Sequence, residues 1–252
     1  MKLQLIRNAT LKLSYAGKTI LVDPMFCEKD FFNPFLEGLE KNPTCDLKIP
    51  VGEIMKGIDS VLVTHSHPDH LDAIAAETLP KSIKMFGAPV DTDFIKNFGF
   101  TNVEIINENT TWNGITITRV KAQHGSGPVL QYMVDVSGFV LQADNEPTVY
   151  IVSDSILTNS VIQTIQRFKP DIIVTNSGGG IIPGYESTPV IMDEEQTIEV
   201  CNISPNSKII AVHLECIDFC RVTRISLRNY ANANGISNEQ LLIPNDGEAL
   251  VI

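Results

Sequence analysis

Long apolar runs are missing from this sequence. A membrane-crossing helix needs roughly 20 consecutive apolar residues, and no stretch approaches that length, so no transmembrane helix is expected. The opening MKLQLIRNATLKLSYAGKTI alternates apolar and polar residues. It lacks the unbroken apolar segment and the small-residue cleavage site of a secretory signal. Basic charge is also in short supply: 19 Lys and Arg stand against 30 Asp and Glu, a net charge of −11. Phosphate-backbone binding needs a cationic surface, and no Lys/Arg cluster is present; CRVTRISLR spaces three arginines at helical intervals and reads as a solvated face. A nucleic-acid partner is therefore disfavoured. No CxxC pair occurs, and the cysteines (Cys27, Cys45, Cys201, Cys216 and Cys220) are odd in number. That suits reduced thiols in a cytoplasmic protein better than a disulfide framework. Cys216 and Cys220 are spaced to share a helix face. No Ser/Gly linker divides the chain, so one domain over residues 1–252 is expected.

Histidine is scarce too, at five residues, yet three fall within six positions of VLVTHSHPDH, residues 61–70. His65, His67 and His70 share that stretch with Asp69. Three imidazoles and an acid that close together have no packing rationale. Imidazole and carboxylate together suit divalent transition metals. In an extended segment residues 65 and 67 point the same way, so His65 and His67 can grip one cation. Beyond Pro68 the chain must turn, and Asp69 and His70 can face a second. The other two histidines, His124 after ITITRVKAQ and His213 after KIIAV, also follow strand-like segments, as does Asp154 after VYIVS. Strand ends on one sheet edge converge, so His124 can complete the first site and His213 the second. Asp154, with two oxygens, can bridge both.

The apolar pattern gives the frame. LQLIRNATLKLSY and KTILVD flank a short turn and read as a hairpin. DSVLVT, SIKMFG, VEII, ITITRVKA, LQYMVDV, FVLQA, TVYIVSD, DIIVTN, KIIAVH and EALVI read as further strands. DAIAAETL, PVDTDFIKNFG, NSVIQTIQRFK, DEEQTIEVCN and VTRISLRNYANANG read as helices. IDSVLVTHSH and PDIIVTNSGG align, which suggests two related halves. Residues 24–50 carry four prolines and Phe26, Phe31, Phe32 and Phe35. A connection of that length is commonly functional, so a lid over the metals is expected, with a subunit interface in a homo-oligomer as the rival. In VTNSGGG the residues Asn176, Ser177, Gly178 and Gly179 are candidate substrate contacts, since glycines let backbone N–H groups approach an anion. Asp23, at a strand end, can orient a ligand histidine from behind.

THSHPDH, with His124 in AQHGSG, Asp154 in VSDS and His213 in AVHLE, resembles the metallo-β-lactamase superfamily. IRNATLKLSYAGKTILVDP is similar to the branch containing L-ascorbate-6-phosphate lactonase. The resemblance implies an αββα sandwich of two pseudo-symmetric halves with metals at one edge. It places His65, His67 and His124 on one metal, Asp69, His70 and His213 on the other, and Asp154 between them. The expected protein is thus a binuclear metal-dependent hydrolase using a metal-bridging hydroxide, with Asp69 both a ligand and an acceptor aiming that hydroxide. Zinc is the first choice of metal, with manganese, iron, nickel and cobalt as alternatives. A small lactone or ester-like substrate comes first, a phosphodiesterase or nuclease second. A metal-binding protein with little hydrolase activity is the remaining alternative.

Overall fold

Two seven-stranded sheets face each other in this computed structural model, which describes residues 1–35 and 37–252. The first contains β1 (Lys2–Arg7), β2 (Thr10–Tyr15), β3 (Lys18–Val22), β4 (Ser60–Leu62), β5 (Lys84–Gly87) and β6 (Val103–Ile105). The second contains β7 (Asn109–Trp112), β8 (Ile115–Lys121), β9 (Ser137–Gln142), β10 (Val149–Ile151), β11 (Ile172–Asn176), β12 (Lys208–Val212) and β13 (Leu241–Leu242). The last strand, β14 (Ala249–Val251), returns to the first sheet and pairs antiparallel with β1. In the first half β1, β2 and β3 are antiparallel, and β3 to β6 run parallel. The second half repeats this: β8, β9 and β10 are antiparallel, and β10 to β13 run parallel.

Alternation along the strands builds the layers. Side chains on successive strand residues point to opposite faces. Leu62 and Phe86 of β4 and β5, with Ile172, Val174, Ile210 and Val212 of β11 and β12, fill the core between the sheets. Their neighbours Val61 and Met85 face a second core under α1 (Val51–Ile54), α2 (Ala73–Thr78) and α3 (Thr92–Asn97). On the far side Ile173, Ile209 and Ala211 face a third core under α4 (Asn159–Phe168), α5 (Glu194–Ile203) and α6 (Arg224–Ala233). Strands covered on both faces read as continuous apolar runs, which is why VYIV and IIAV are unbroken. The expected αββα sandwich is the observed architecture.

Several local expectations are corrected. The first segment is a three-strand meander, because Asn8 takes a left-handed conformation (φ 55°) and turns the chain between β1 and β2. LQYMVDV is no strand. Gly127 (φ 62°) and the proline after it start a 3-10 turn over Gly127–Tyr132 instead. Residues 214–223 form no helix, so Cys216 and Cys220 share no helix face. The reading of five reduced thiols is also overturned: Cys45 and Cys216 form a disulfide, with Cα atoms 5.3 Å apart, while Cys27, Cys201 and Cys220 are free. The pairing was hidden because 171 positions separate the two cysteines and only the fold brings them together.

That disulfide belongs to a clasp. Segment 24–50 is anchored at its root by the buried guanidinium of Arg7, which donates to the carbonyls of Met25, Cys27 and Cys45. The Asp72 carboxylate caps α2 through Ala75 N and also accepts from Phe26 N and Cys27 N. Farther along, Thr44 N donates to Cys216 O (2.9 Å), and Phe35 N to the Asp218 carboxylate (3.1 Å). The segment is thereby fastened to the loop that follows His213.

Candidate metal centre

The strand ends of both sheets meet at one edge. Asp23 follows β3, His65 to His70 follow β4, His124 follows β8, Asp154 follows β10, Asn176 closes β11 and His213 follows β12. Three of these turns are strained. Asp23 (φ 46°), Ser153 (φ 67°) and His213 (φ 60°) lie in the left-handed region, at a cost of about 1–3 kcal/mol each for non-glycine residues. The surrounding hydrogen bonds hold them there.

The seven predicted ligand residues fall into two groups. His65, His67, His124 and Asp154 offer donor atoms within 4.8 Å of one another, and so do Asp69, His70 and His213. Asp154 lies between the groups: its Oδ2 is 3.7 Å from His65 Nε2, 3.5 Å from His124 Nε2, 3.4 Å from His70 Nε2 and 3.6 Å from His213 Nε2. Asp69 Oδ2 is 3.1 Å from His213 Nε2 and 3.6 Å from His70 Nε2. All but His67 are buried.

Contacts behind the ring set the tautomers. His124 Nδ1 meets the Val190 carbonyl at 2.7 Å; a carbonyl only accepts, so Nδ1 carries the proton and Nε2 turns a lone pair inward. His70 Nδ1 meets Asp23 Oδ2 at 2.8 Å. Asp23 in turn accepts from Thr64 N and Thr64 Oγ1, and Ser153 Oγ donates to Thr64 Oγ1. His65 Nδ1 lies 3.1 Å from Thr64 Oγ1, whose hydrogen goes to Asp23, so it too donates away from the centre. This is the arrangement that aims imidazole lone pairs at a cation. The expected orienting role of Asp23 is what its geometry provides.

Charge follows the same division. Burial, reinforced by the neighbouring His70, holds His65 well below the usual imidazole range, and burial lowers His67 to about 4 and depresses His124. Those three stay neutral and free to ligate. Burial would also lower His70 and His213, but Asp154 and the other carboxylates outweigh it: His70 rises to about 10 and His213 well above its ordinary value. Burial pushes Asp69 upward, yet His70 and His213 bring it down to about 2. Asp154 is held well below the carboxylate range against its burial by His213, His70 and His65. The buried acids thus demand positive charge. His70 Nε2 remains buried without a hydrogen-bond partner. Three neutral inward imidazoles, two ionised carboxylates and an orphaned inward nitrogen fit divalent metal ligation.

Above the centre lies a cavity of about 440 Å³. His67, Asp69 and His124 supply its polar floor. Phe35 and Phe219 stand on one side, with ring centroids 5.7 Å apart, and Tyr132 and Tyr185 on another, 6.1 Å apart. Among the described residues no Lys or Arg lines it. Of the four phenylalanines expected in a lid, Phe35 reaches this cavity and Phe32 packs behind it at 5.5 Å; Phe26 is buried in the core under α1 to α3, and Phe31 is exposed along a separate groove.

The four residues expected to touch substrate lie elsewhere. Asn176, Ser177, Gly178 and Gly179 are buried beneath the centre and none lines the cavity. Asn176 Nδ2 donates to Asp154 Oδ1 at 2.5 Å, fixing the central carboxylate, and Ser177 bonds Thr175. The glycines serve close packing: a Cβ on Gly178 would overlap the His213 carbonyl and Cys220 Sγ, and one on Gly179 would meet Val222. Gly178→Ala should therefore lower stability by about 1–3 kcal/mol, the usual penalty of overpacking, seen as a lower Tm; an unchanged Tm would mean that this turn can open freely. Two functional contacts carried no sequence signal: Asn8 Nδ2 on Asp69 Oδ2 (3.2 Å) and Cys220 Sγ on His213 Nδ1 (3.7 Å).

Comparison with known proteins shows the family of this chain. The family described as "Beta-lactamase superfamily domain" matches residues 18–214. The chain is 36% identical to the UPF0173 protein YddR of Bacillus subtilis, over 99% of both. A possible metal-dependent hydrolase from Veillonella parvula superposes with a TM-score of 0.95 at 33% identity, covering 100% of this chain and 99% of that one. An isothiocyanate hydrolase from Delia radicum gut bacteria superposes at 0.92 with 35% identity and the same coverage. Relatives of lower identity carry the name UPF0173 metal-dependent hydrolase. The chain belongs to the β-lactamase superfamily and, within it, to the UPF0173 family of metal-dependent hydrolases.

Proposed function

We propose that this hydrolase is binuclear, holds zinc, and acts on a small, uncharged, apolar electrophile, with an isothiocyanate as the first choice. The observation that carries the reading is the cavity: an aromatic wall without a cationic side chain, opening on His67, Asp69 and His124. An isothiocyanate presents an electrophilic carbon and no charge, which such a wall accommodates. The 35% identity to an isothiocyanate hydrolase over the whole chain points the same way. A phosphodiester or a phosphorylated lactone would bring an anion to a wall that offers no basic partner. An uncharged lactone or small ester is the second reading, favoured by the same apolar wall and by the sequence resemblance to the lactonase branch.

In this reading His65, His67 and His124 hold one cation, Asp69, His70 and His213 the other, and Asp154 lies between. Two such ions would supply a nucleophile from water at neutral pH and polarise the electrophile. The chain's own groups do the rest. Asp23, the Val190 carbonyl and Thr64 keep imidazole protons pointing outward. Asn176 fixes the Asp154 carboxylate. Asp69, at the cavity floor, is placed to accept a hydrogen bond from an attacking water and aim its lone pair. The apolar wall excludes bulk solvent and seats the organic substituent.

Metal analysis of the purified protein, coupled to turnover of isothiocyanates, uncharged lactones, simple esters and phosphodiesters, tests the proposal. Fast phosphodiester cleavage with no isothiocyanate or lactone turnover would refute it. Phe35→Ala should raise KM for the best substrate about tenfold, the scale of burying one apolar group of this size less a partial contact, while metal content stays at the parental level. An unchanged KM would remove segment 24–50 from substrate binding and leave it a purely structural clasp.

A further inference from the structure

In the turn between β1 and β2 the N-terminal meander reaches the centre through Asn8. It is buried and holds a left-handed conformation (φ 55°). Its side chain and its backbone act in opposite directions. Nδ2 donates to Asp69 Oδ2 at 3.2 Å and reaches the Asp69 carbonyl at 3.5 Å. Its own carbonyl accepts from His213 N at 3.0 Å. His213 Nε2 closes the circuit on Asp69 Oδ2 at 3.1 Å. Asn8 thus ties a carboxylate from the turn after β4 to the backbone of His213 in the turn after β12, and the two turns come from different sheets. Among the described residues it makes no hydrogen bond to His65, His67, His124 or Asp154.

We infer that Asn8 is the positioning residue of the second cation site: it holds the Asp69 carboxylate and the His213 backbone in register, so that this site, and not the first, depends on it. The inference rests on the two-cation reading. Two further features support it. Asn8 Oδ1 is buried with no hydrogen-bond partner, although buried polar groups are ordinarily paired, so the amide's contact with the centre is made by its donor end alone. His213 is itself left-handed (φ 60°), so its imidazole direction depends on what holds its N–H. Outer contacts of this kind typically change metal affinity by about 10–100-fold.

The test is calorimetric titration of Zn(II) into metal-free protein, for the parent, Asn8→Gly and Asn8→Asp. Glycine adopts a positive φ freely, so Asn8→Gly removes the amide and keeps the turn. Asn8→Asp keeps the shape and the tolerance for this conformation, but turns an acceptor toward the Asp69 carboxylate. The parent should take up two equivalents. In both variants the first should bind within about threefold of the parent and the second about 10–100-fold more weakly, with Asn8→Asp the worse. Cobalt(II) spectra should lose the second-site bands and keep the first. Should Asn8→Gly fail to fold, Asn8→Asp decides alone. Two equivalents bound at parental affinity overturn the inference, and so does equal weakening of both, which would mark Asn8 as a general structural residue. A parent that binds one equivalent refutes the two-cation reading, and with it this inference, before any variant is made.

Discussion

Asp154→Asn should leave a folded protein that cannot hold two cations together. The substitution is isosteric, and the bond from Asn176 Nδ2 to Oδ1 (2.5 Å) can persist. The introduced amide nitrogen then takes the place of Oδ2, which lies within 3.7 Å of four imidazole nitrogens. N–H donors would occupy the space where lone pairs converge. The electrostatic loss is larger still. Two unit charges about 4 Å apart interact by roughly 4 kcal/mol at an effective dielectric of about 20, and two divalent ions repel several times more strongly. A central carboxylate offsets that repulsion; an amide does not. Metal analysis after dialysis should find at most one equivalent, and kcat/KM on the best substrate should fall by more than about a thousandfold. Two equivalents retained as tightly as in the parent would show that Asp154 is not the bridge.

His67→Ala should also produce a large loss, by a different route. His67 is the one predicted ligand that is not fully buried, and it stands at the cavity floor. Its Nδ1 is 3.0 Å from His65 Nε2, and its ring is 5.3 Å from that of His124. Truncation removes one of three imidazoles and admits water from the cavity, without disturbing the strands that place the others. The first site should lose its metal, with activity down more than about a hundredfold, since even contacts behind a ligand cost about 10–100-fold. Far-UV circular dichroism should be unchanged. Unaltered metal content would remove His67 from the ligand set.

Much of this was legible because two signals are local. Apolar runs such as VYIV and IIAV mark strands covered on both faces, and the repeat between IDSVLVTHSH and PDIIVTNSGG reflects the four parallel strands, β3 to β6 and β10 to β13, that form the same half of each sheet. THSHPDH concentrates ligand chemistry in one turn. What stayed hidden depends on long-range packing. Asn8 sits in an ordinary turn, and nothing nearby shows that Asp69 and His213 will meet it. The role of Gly178 is equally non-local: the glycines look like an anion cradle, but their missing Cβ atoms make room for the His213 carbonyl and the Val222 side chain. LQYMVDV has strand composition, yet Gly127 and Pro128 divert it into a turn that brings Tyr132 to the cavity.

The clasp also changes how the chain is closed upon itself. With Cys45 and Cys216 joined, every predicted ligand, from His65 to His213, lies inside one covalent ring. Asn8 and Asp23 reach the centre from outside that ring, on the N-terminal arm, while α6 and β14 form the arm on the other side. A ring of that size removes roughly 5 kcal/mol worth of freedom from the unfolded chain in the entropic account. Pairings as distant as Asn8 with His213 are the costly ones to close. The ligands are thus gathered by a closed loop, while their final orientation waits for an open end to dock. The bonds that fix Asp69 and His70, from Asn8 and Asp23, therefore cross from an open arm into the closed ring.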